Sequence, residues 1–224
     1  MTGWMIAEPA LKQIDIHATE DNQLVTVTGT SNLLTKIGTG TDAAVFCHQA
    51  LPGYAFKLYA REKTAKKEME YQVYHLLGHS RHFPVCYGAG ERYLVLSHEP
   101  GITLYDCLLQ GISIPRQVME DVEDARQYII SLGLNPRDIH LKNILMQNGR
   151  AKLLDVSEYI KPGNDYRWEH LKRGYDLYYH LVDGKPVPIW LIDRIRKWYQ
   201  PGNNQTPTFE EVVMRAARLI KRRR

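Results

Sequence analysis

One stretch limits the architecture more than any other. Residues 136–143 read Pro136-Arg137-Asp138-Ile139-His140-Leu141-Lys142-Asn143 and have the look of a loop. Ile144-Leu145-Met146, then Asn148-Gly149, then Ala151-Lys152-Leu153-Leu154 follow, and Asp155 closes the run. Asn-Gly between two short apolar runs is a strong signal for a two-residue β-hairpin turn. The hairpin is framed by Asp138 and Asn143 before it and by Asp155 after it. An acid, an amide five residues on and a second acid beyond a hairpin can converge on one point. Each acid also has an ordinary explanation alone, Asp138 as a helix cap and Asp155 as a turn residue.

The rest of the chain divides around this element. Gln23–Thr28, Leu33–Ile37, Ala44–His48 and Tyr54–Tyr59 read as strands, with Leu51-Pro52-Gly53 as a turn. Arg61–Leu77 lacks Gly and Pro and repeats Ala65, Met69, Val73 and Leu76 at helical spacing, with Gly78 as its stop. Pro84–Gly88 and Tyr93–Ser97 are two more short strands, and Glu99-Pro100-Gly101 reads as a linker. The expected division is therefore 1–98 and 99–224. Pro115 opens a helix with the stripe Val118, Val122, Ala125, Ile129 and Leu132, ended by Gly133. Further helices are expected over 166–181 and 188–199, and a last one from Thr208, where Thr208 and Glu211 fit a capping box. The first twenty residues have no firm pattern.

Composition narrows the class. With 44% hydrophobic and 24% charged residues, the chain is a globular protein rather than a disordered one. No apolar run approaches the ~20 residues that span a bilayer, and the N-terminus lacks a secretory pattern. Three widely spaced cysteines, Cys47, Cys86 and Cys107, fit a reducing cytoplasm and exclude a disulfide framework. The net charge of +4 is local: Arg215, Arg218, Lys221, Arg222, Arg223 and Arg224 supply it, and the body without them is slightly acidic. That tail reads as a solvated end of a packed helix; contact with nucleic acid or an anionic surface is the sharper alternative.

Two further features carry chemistry. Gly38-Thr39-Gly40-Thr41 is followed by a strand, not a helix, so it reads as a glycine-rich hairpin whose backbone can approach phosphate. Taken alone it is a plain β-turn. Lys57 sits inside an apolar, aromatic strand and must reach a charge or the surface. The following helix offers Glu70 and, further round, Glu68. A lysine held by a carboxylate, a base, and an amide–acid pair for a metal are the set that phosphoryl transfer needs.

From Leu33 to Asp155 the chain resembles the protein-kinase-like superfamily, in order and at plausible spacing. Gly38, Gly40 and Val45 match the glycine-rich loop, with Ala43 for the third glycine. Ala55-Phe56-Lys57 matches the strand lysine, Glu70 the helix glutamate, and Tyr93–Leu96 before Pro100-Gly101 the hinge strand. Arg137-Asp138 and Asn143 match the catalytic loop, and Asp155-Val156-Ser157 stands where a D-F-G would be. The resemblance implies an α+β bilobal fold, with an antiparallel N-lobe sheet and a small, mainly helical C-lobe. It implies ATP and Mg²⁺ as cofactors and phosphoryl transfer to a serine or threonine hydroxyl of a protein partner.

The residue roles it implies are these. Lys57, held by Glu70, would bind phosphates, and Asp138 would orient and deprotonate the acceptor. Asn143 and Asp155 would hold Mg²⁺. Ile37, Gly38, Thr39, Gly40, Thr41, Val45, Ala55, Leu96, Ser97 and His98 would line the nucleotide site.

Several departures keep alternatives open. Pro136 replaces the usual histidine, Val156-Ser157 replaces Phe-Gly, no A-P-E follows, and the chain after Asp155 is short. Reduced, Rio-type kinases are similar in this. His140 stands where serine/threonine kinases usually carry lysine, as in small-molecule kinases of the aminoglycoside and choline types, and Lys142 is the candidate for the displaced charge. A nucleotide-binding scaffold without catalysis is the other alternative.

Overall fold

The computed structural model describes residues 3–19, 23–197, 208, 210, 211 and 214. They form two compact units, Met1–Pro100 with Leu154–Ile160, and Gly101–Leu153 with Lys161–Arg224. The first break falls two residues later than the expected 98/99 boundary. The chain also returns to the first unit at 154–160, which a single cut along the sequence cannot express.

The first unit opens with a 3-10 turn, Gly3–Ala7, helix α1 (Glu8–Leu11) and a short antiparallel pair, β1 (Asp15–His17) with β2 (Thr26–Thr28). A five-stranded antiparallel sheet follows: β3 (Leu34–Thr39), β4 (Ala43–His48), β5 (Leu51–Tyr59), β6 (Cys86–Ala89) and β7 (Tyr93–Ser97), ordered β3-β4-β5-β7-β6. Paired residues share a face of an antiparallel sheet. Gly38, Val45, Lys57 and Leu94 form one cross-strand row, and Cys47, Ala55 and Leu96 the next row on the same face.

The opposite face carries Ala44, Phe46, Phe56, Leu58, Tyr93 and Val95. The N-terminal segment covers it with Trp4, Ala7, Leu11, Ile14, Ile16 and Val25. Each fully buried large side chain there contributes roughly 1.5–3 kcal/mol. The packing is close: a Cβ on Gly88 would stand 2.9 Å from the Trp4 ring. Arg92 ties the layer down by donating to Asp15 at 3.0 Å.

Two local expectations change. Leu51-Pro52-Gly53 belongs to β5, and the reversal is made by Gln49 and Ala50. The register shifts between Cys47 and His48, so Pro52 and Gly53 fall in a bulge, where proline's missing N–H goes unnoticed by the ladder. Helix α2 is Thr64–Leu77 after a 3-10 turn at Arg61–Lys63, and its buried face is Lys67, Glu70, Val73, Tyr74 and Leu77. Ala65 and Leu76, read as apolar stripe, are exposed. The helix is rotated because Glu70 is itself a buried position, made tolerable by the partners described below.

The second unit begins with β8 (Ile102–Thr103) and α3 (Leu104–Gln110), a helix the sequence pattern did not suggest. Thr103 caps it, its hydroxyl accepting from the Asp106 N–H at 3.1 Å. Helix α4 (Arg116–Ser131) buries Val118, Val122, Ala125 and Ile129 as expected, but Leu132 lies beyond it and is exposed. Pro115 is its cap, not its first turn.

The hairpin β9 (Ile144–Gln147) and β10 (Arg150–Leu153) turns on Asn148 and Gly149, both with positive φ, as a type I′ turn requires. Asp121 of α4 is buried and ties the hairpin down, accepting from Arg150 Nε and Nη2 at 2.8 and 2.7 Å and from Ala151 N–H at 2.9 Å. Helices α5 (Arg167–Tyr178) and α6 (Ile189–Lys197) follow.

The capping box of Thr208 and Glu211 is formed in both directions. The basic tail lies outside the described residues. Among the described residues no helix is long and apolar enough to cross a membrane, and the three cysteines are free.

Candidate active site

Each unit carries one cluster of the residues singled out by sequence. In the first unit, strand parity brings Lys57 out on the face opposite the apolar layer, and Glu70 meets it from α2. Lys57 Nζ donates to Glu70 Oε1 and Oε2 at 2.9 and 2.7 Å. It also stands 3.4 Å from Asp155 Oδ1. The Lys57 side chain is 13% exposed and that of Glu70 1%, whereas 39% of the Asp155 side chain remains exposed.

Burial alone would pull an amine's pKa down, but the Asp155 and Glu70 carboxylates reverse that and raise Lys57 above the lysine range. Burial likewise works against the charge on Asp155. The ammonium of Lys57 and the hydrogen bonds from Ser157 outweigh it and hold this carboxyl at about 2. Glu70 is pushed up by its burial against the pull of Lys57.

Two residues in this cluster escaped the sequence reading. Tyr59 lies two positions after Lys57, hence on the same face, and its hydroxyl donates to Glu70 Oε2. That parity was available as a signal. Ser157, which with Val156 stands in place of Phe-Gly, uses its N–H and hydroxyl to hold Asp155 Oδ1 at 3.3 and 2.8 Å. Glu68, the alternative to Glu70, is turned to Lys67 at 2.6 Å.

The glycine-rich hairpin is formed as expected. Gly40 N–H donates to Ala43 O at 2.8 Å, so Thr41 and Asp42 make the tip. The tip is anchored: Asp42 faces Lys66 at 2.6 Å and Lys63 at 3.1 Å. Ile37 sits exposed at the bulge between Lys36 and Gly38, and Thr39 pairs with Ala44. Val45, Ala55 and Leu96 share the Lys57 face. At the end of β7, the Ser97 N–H donates to Val85 O at 2.8 Å and the His98 N–H to Gly53 O at 3.0 Å. These two amides are thus taken.

In the second unit, Asp138 has φ 56°, in the left-handed region. Its N–H donates to Asp165 Oδ2 at 2.8 Å and its carbonyl accepts from Asn143 Nδ2 at 3.1 Å. That bond directs the Asn143 carboxamide oxygen the other way. Arg167 Nη1 donates to Asp138 Oδ1. His140 Nδ1 accepts the Lys142 N–H at 3.2 Å, which leaves the ring proton on Nε2, 3.6 Å from Asp138 Oδ1. Lys142 extends over the Tyr105 ring at 4.4 Å. Asp165 and Arg167 lie beyond any spacing that the catalytic-loop pattern covers, and no sequence signal pointed to them.

Each cluster by itself holds an oxygen donor suited to a hard cation. Asp155 is ionised and partly exposed, and the Asn143 oxygen is a hard neutral donor. Among the described residues no group of three or more His, Cys, Asp and Glu side chains could hold a metal. Mg²⁺ in general takes few protein ligands and completes its shell with phosphate and water.

No protein-family model matches the chain. A crystal structure of WbdD with the kinase inhibitor LY294002 is similar at a TM-score of 0.46 and 16% identity, over 86% of this chain and 48% of that one. A 2.2 Å crystal structure of WbdD gives 0.45 and 16%, over 80% and 43%. The chain thus spans about half the length of those proteins. A far stronger likeness is to the "Putative serine/threonine-protein kinase YrzF" of Bacillus subtilis (strain 168). The two are 32% identical over 178 residues, 76% of this chain and 83% of that protein. A relative this similar over most of both sequences, together with the lysine–glutamate pair and the hairpin framed by Asp138, Asn143 and Asp155, shows that the chain belongs to the protein-kinase-like superfamily.

Proposed function

We infer that this protein transfers the γ-phosphoryl group of ATP to a hydroxyl, with a serine or threonine of a protein as acceptor. The observation that carries the reading is the Lys57–Glu70–Asp155 cluster. An amine kept charged, held on one side by a buried carboxylate and facing a second, exposed one, is organised to receive phosphate oxygens. The likeness to YrzF supports the choice of acceptor.

The roles follow from the residues. Lys57 binds the α- and β-phosphates, and Glu70 with Tyr59 fixes its position. The backbone of Gly38–Thr41 covers the phosphates; Ile37, Val45, Ala55 and Leu96 contact the base, and the Ser97-His98 segment borders it. Asp155 and Asn143 would hold Mg²⁺, which supplies neutralisation of phosphate charge. Asp138 orients the acceptor hydroxyl and takes its proton. The acceptor oxygen bonds to phosphorus as the β,γ-bridging P–O bond breaks, and ADP leaves with that bonding pair.

Radiolabelled ATP incubated with the protein and a peptide library tests the reading. Label transfer that disappears in Asp138→Ala while ATP affinity stays near that of the parent is the expected result. Equal transfer by both proteins sinks it. A second reading, a small-molecule acceptor, is favoured by His140, whose Nε2 proton faces Asp138 and could guide a compact hydroxyl. ATP consumption across a panel of alcohols and amino sugars separates the two.

A further inference from the structure

The geometry points to Arg167 as the cation that meets the charge of the transferring phosphoryl group. The assignment rests on the phosphotransferase reading above and adds a residue to it. A positive charge beside the catalytic carboxylate is missing from the catalytic loop itself, because His140 occupies its place and Lys142 is drawn over Tyr105. Arg167 brings one from outside the loop. Its Nη1 donates to Asp138 Oδ1, and its Nε lies 3.5 Å from Asp165 Oδ2.

The placement is built, not incidental. Asp165 accepts the Asp138 N–H through Oδ2 and, at 3.3 Å, the Arg167 N–H through Oδ1, so one carboxylate spaces both partners. Asp138 and Tyr166 both have φ near 56°. Left-handed backbone at a residue other than glycine costs free energy and gathers at functional sites. Tyr166 is 54% exposed, so burial of its ring does not offset the cost. The conformation of Tyr166 instead starts α5 so that Arg167, its first residue, projects onto Asp138. The pair is also exchangeable, since both side chains are 27% exposed rather than sealed in.

Chemistry supplies the rest. An acceptor hydroxyl bonded to Asp138 lies about 3 Å from its oxygen, and the phosphorus it attacks about 3–3.5 Å further on. A guanidinium already on that oxygen is within a rotamer change of the phosphoryl oxygens. It carries N–H donors beyond the two contacts described, in the fork that suits phosphate. With nothing bound it neutralises Asp138; with substrate it turns to the phosphoryl group and frees the carboxylate to take the proton.

Two measurements on Arg167→Met and Arg167→Lys test this. Calorimetry compares Mg·ADP with Mg·ADP plus aluminium fluoride, a mimic of the phosphoryl group in flight. The methionine variant should bind ADP within about twofold of the parent and lose on the order of a hundredfold in the extra affinity that fluoride confers. Its turnover at saturating ATP should fall by about 10²–10³-fold with KM for ATP little changed. The lysine variant, which keeps charge and stem, should recover part of both and stands in should the methionine variant fail to fold. Unchanged fluoride affinity, unchanged turnover, or turnover that rises would overturn the assignment; the last would make Arg167 a brake. A parent that binds no ADP removes the phosphotransferase reading itself. A parent that binds ADP and turns over ATP, with Arg167 variants equal to it, removes this assignment alone.

Discussion

The Lys57–Glu70–Asp155 cluster and the Asp138–Arg167–Asp165 cluster both mix charges, yet their surroundings differ. In the first, Glu70 is sealed between sheet and helix, and the Lys57 amine and Tyr59 hydroxyl satisfy it. In the second, Asp138 and Arg167 are both about a quarter exposed; left-handed backbone does not separate the two, since Asp155 shares it with Asp138 and Tyr166. A charge sealed in the interior depends on its partners, because removing one leaves the other unpaired and dry. A half-exposed pair can lose a partner to water at little expense. The first cluster should therefore combine chemistry with stability, and the second should hold chemistry nearly apart from it.

Four substitutions or titrations can break that contrast. Asp138→Asn should slow transfer by about 10²–10⁴-fold, the range for loss of a positioned base. It should shift the denaturation midpoint by no more than the equivalent of ~1 kcal/mol. A large loss of stability would erase the distinction. Lys57→Met should cost about 3–5 kcal/mol in chemical denaturation, the cost of stranding the buried Glu70, and should impair ATP binding as well. Tyr59→Phe should cost ~1–2 kcal/mol, since Glu70 keeps its lysine; a reduced affinity for ATP alongside it would show that the tyrosine also aligns Lys57.

The smallest effect is electrostatic. Asp155 is held at about 2 against its ordinary 3.8, so its contribution to stability is complete above pH 3.8 and fades as pH falls towards 2. Lys57 has the opposite sign: its contribution is complete below 10.5 and fades as pH rises above that. Acid denaturation of the parent and Asp155→Asn should thus converge between pH 4 and pH 2, and parallel curves would contradict it.

Sequence reading succeeded where a local rule has one outcome. Asn148-Gly149 dictates its hairpin, and Gly38-Thr39-Gly40 before β-branched residues dictates another. Lys57 in an apolar strand announced a charged partner, and Glu70 is that partner. It failed where tertiary contacts decide. The buried face of α2 departs from the apolar stripe because Glu70 and Lys67 count as polar in any pattern yet are buried. Helix α3 is not legible in the pattern because its seven residues are too few to display a period. Residues 3–16 show no amphipathic rhythm because a 3-10 turn, one helical turn and a strand follow in quick succession. Arg167 and Asp165 could not be found at all, since only the folded chain sets them beside Asp138.

The layer that Trp4, Leu11, Ile14 and Ile16 lay over the sheet has a practical corollary. A version of the protein begun at the glycine-rich strand would retain every residue given a chemical role above. It would nonetheless bare a greasy plane of Phe46, Phe56, Leu58 and Val95 to water. Such a fragment should self-associate or precipitate on expression, and its silence in an assay would report insolubility rather than a missing catalytic group.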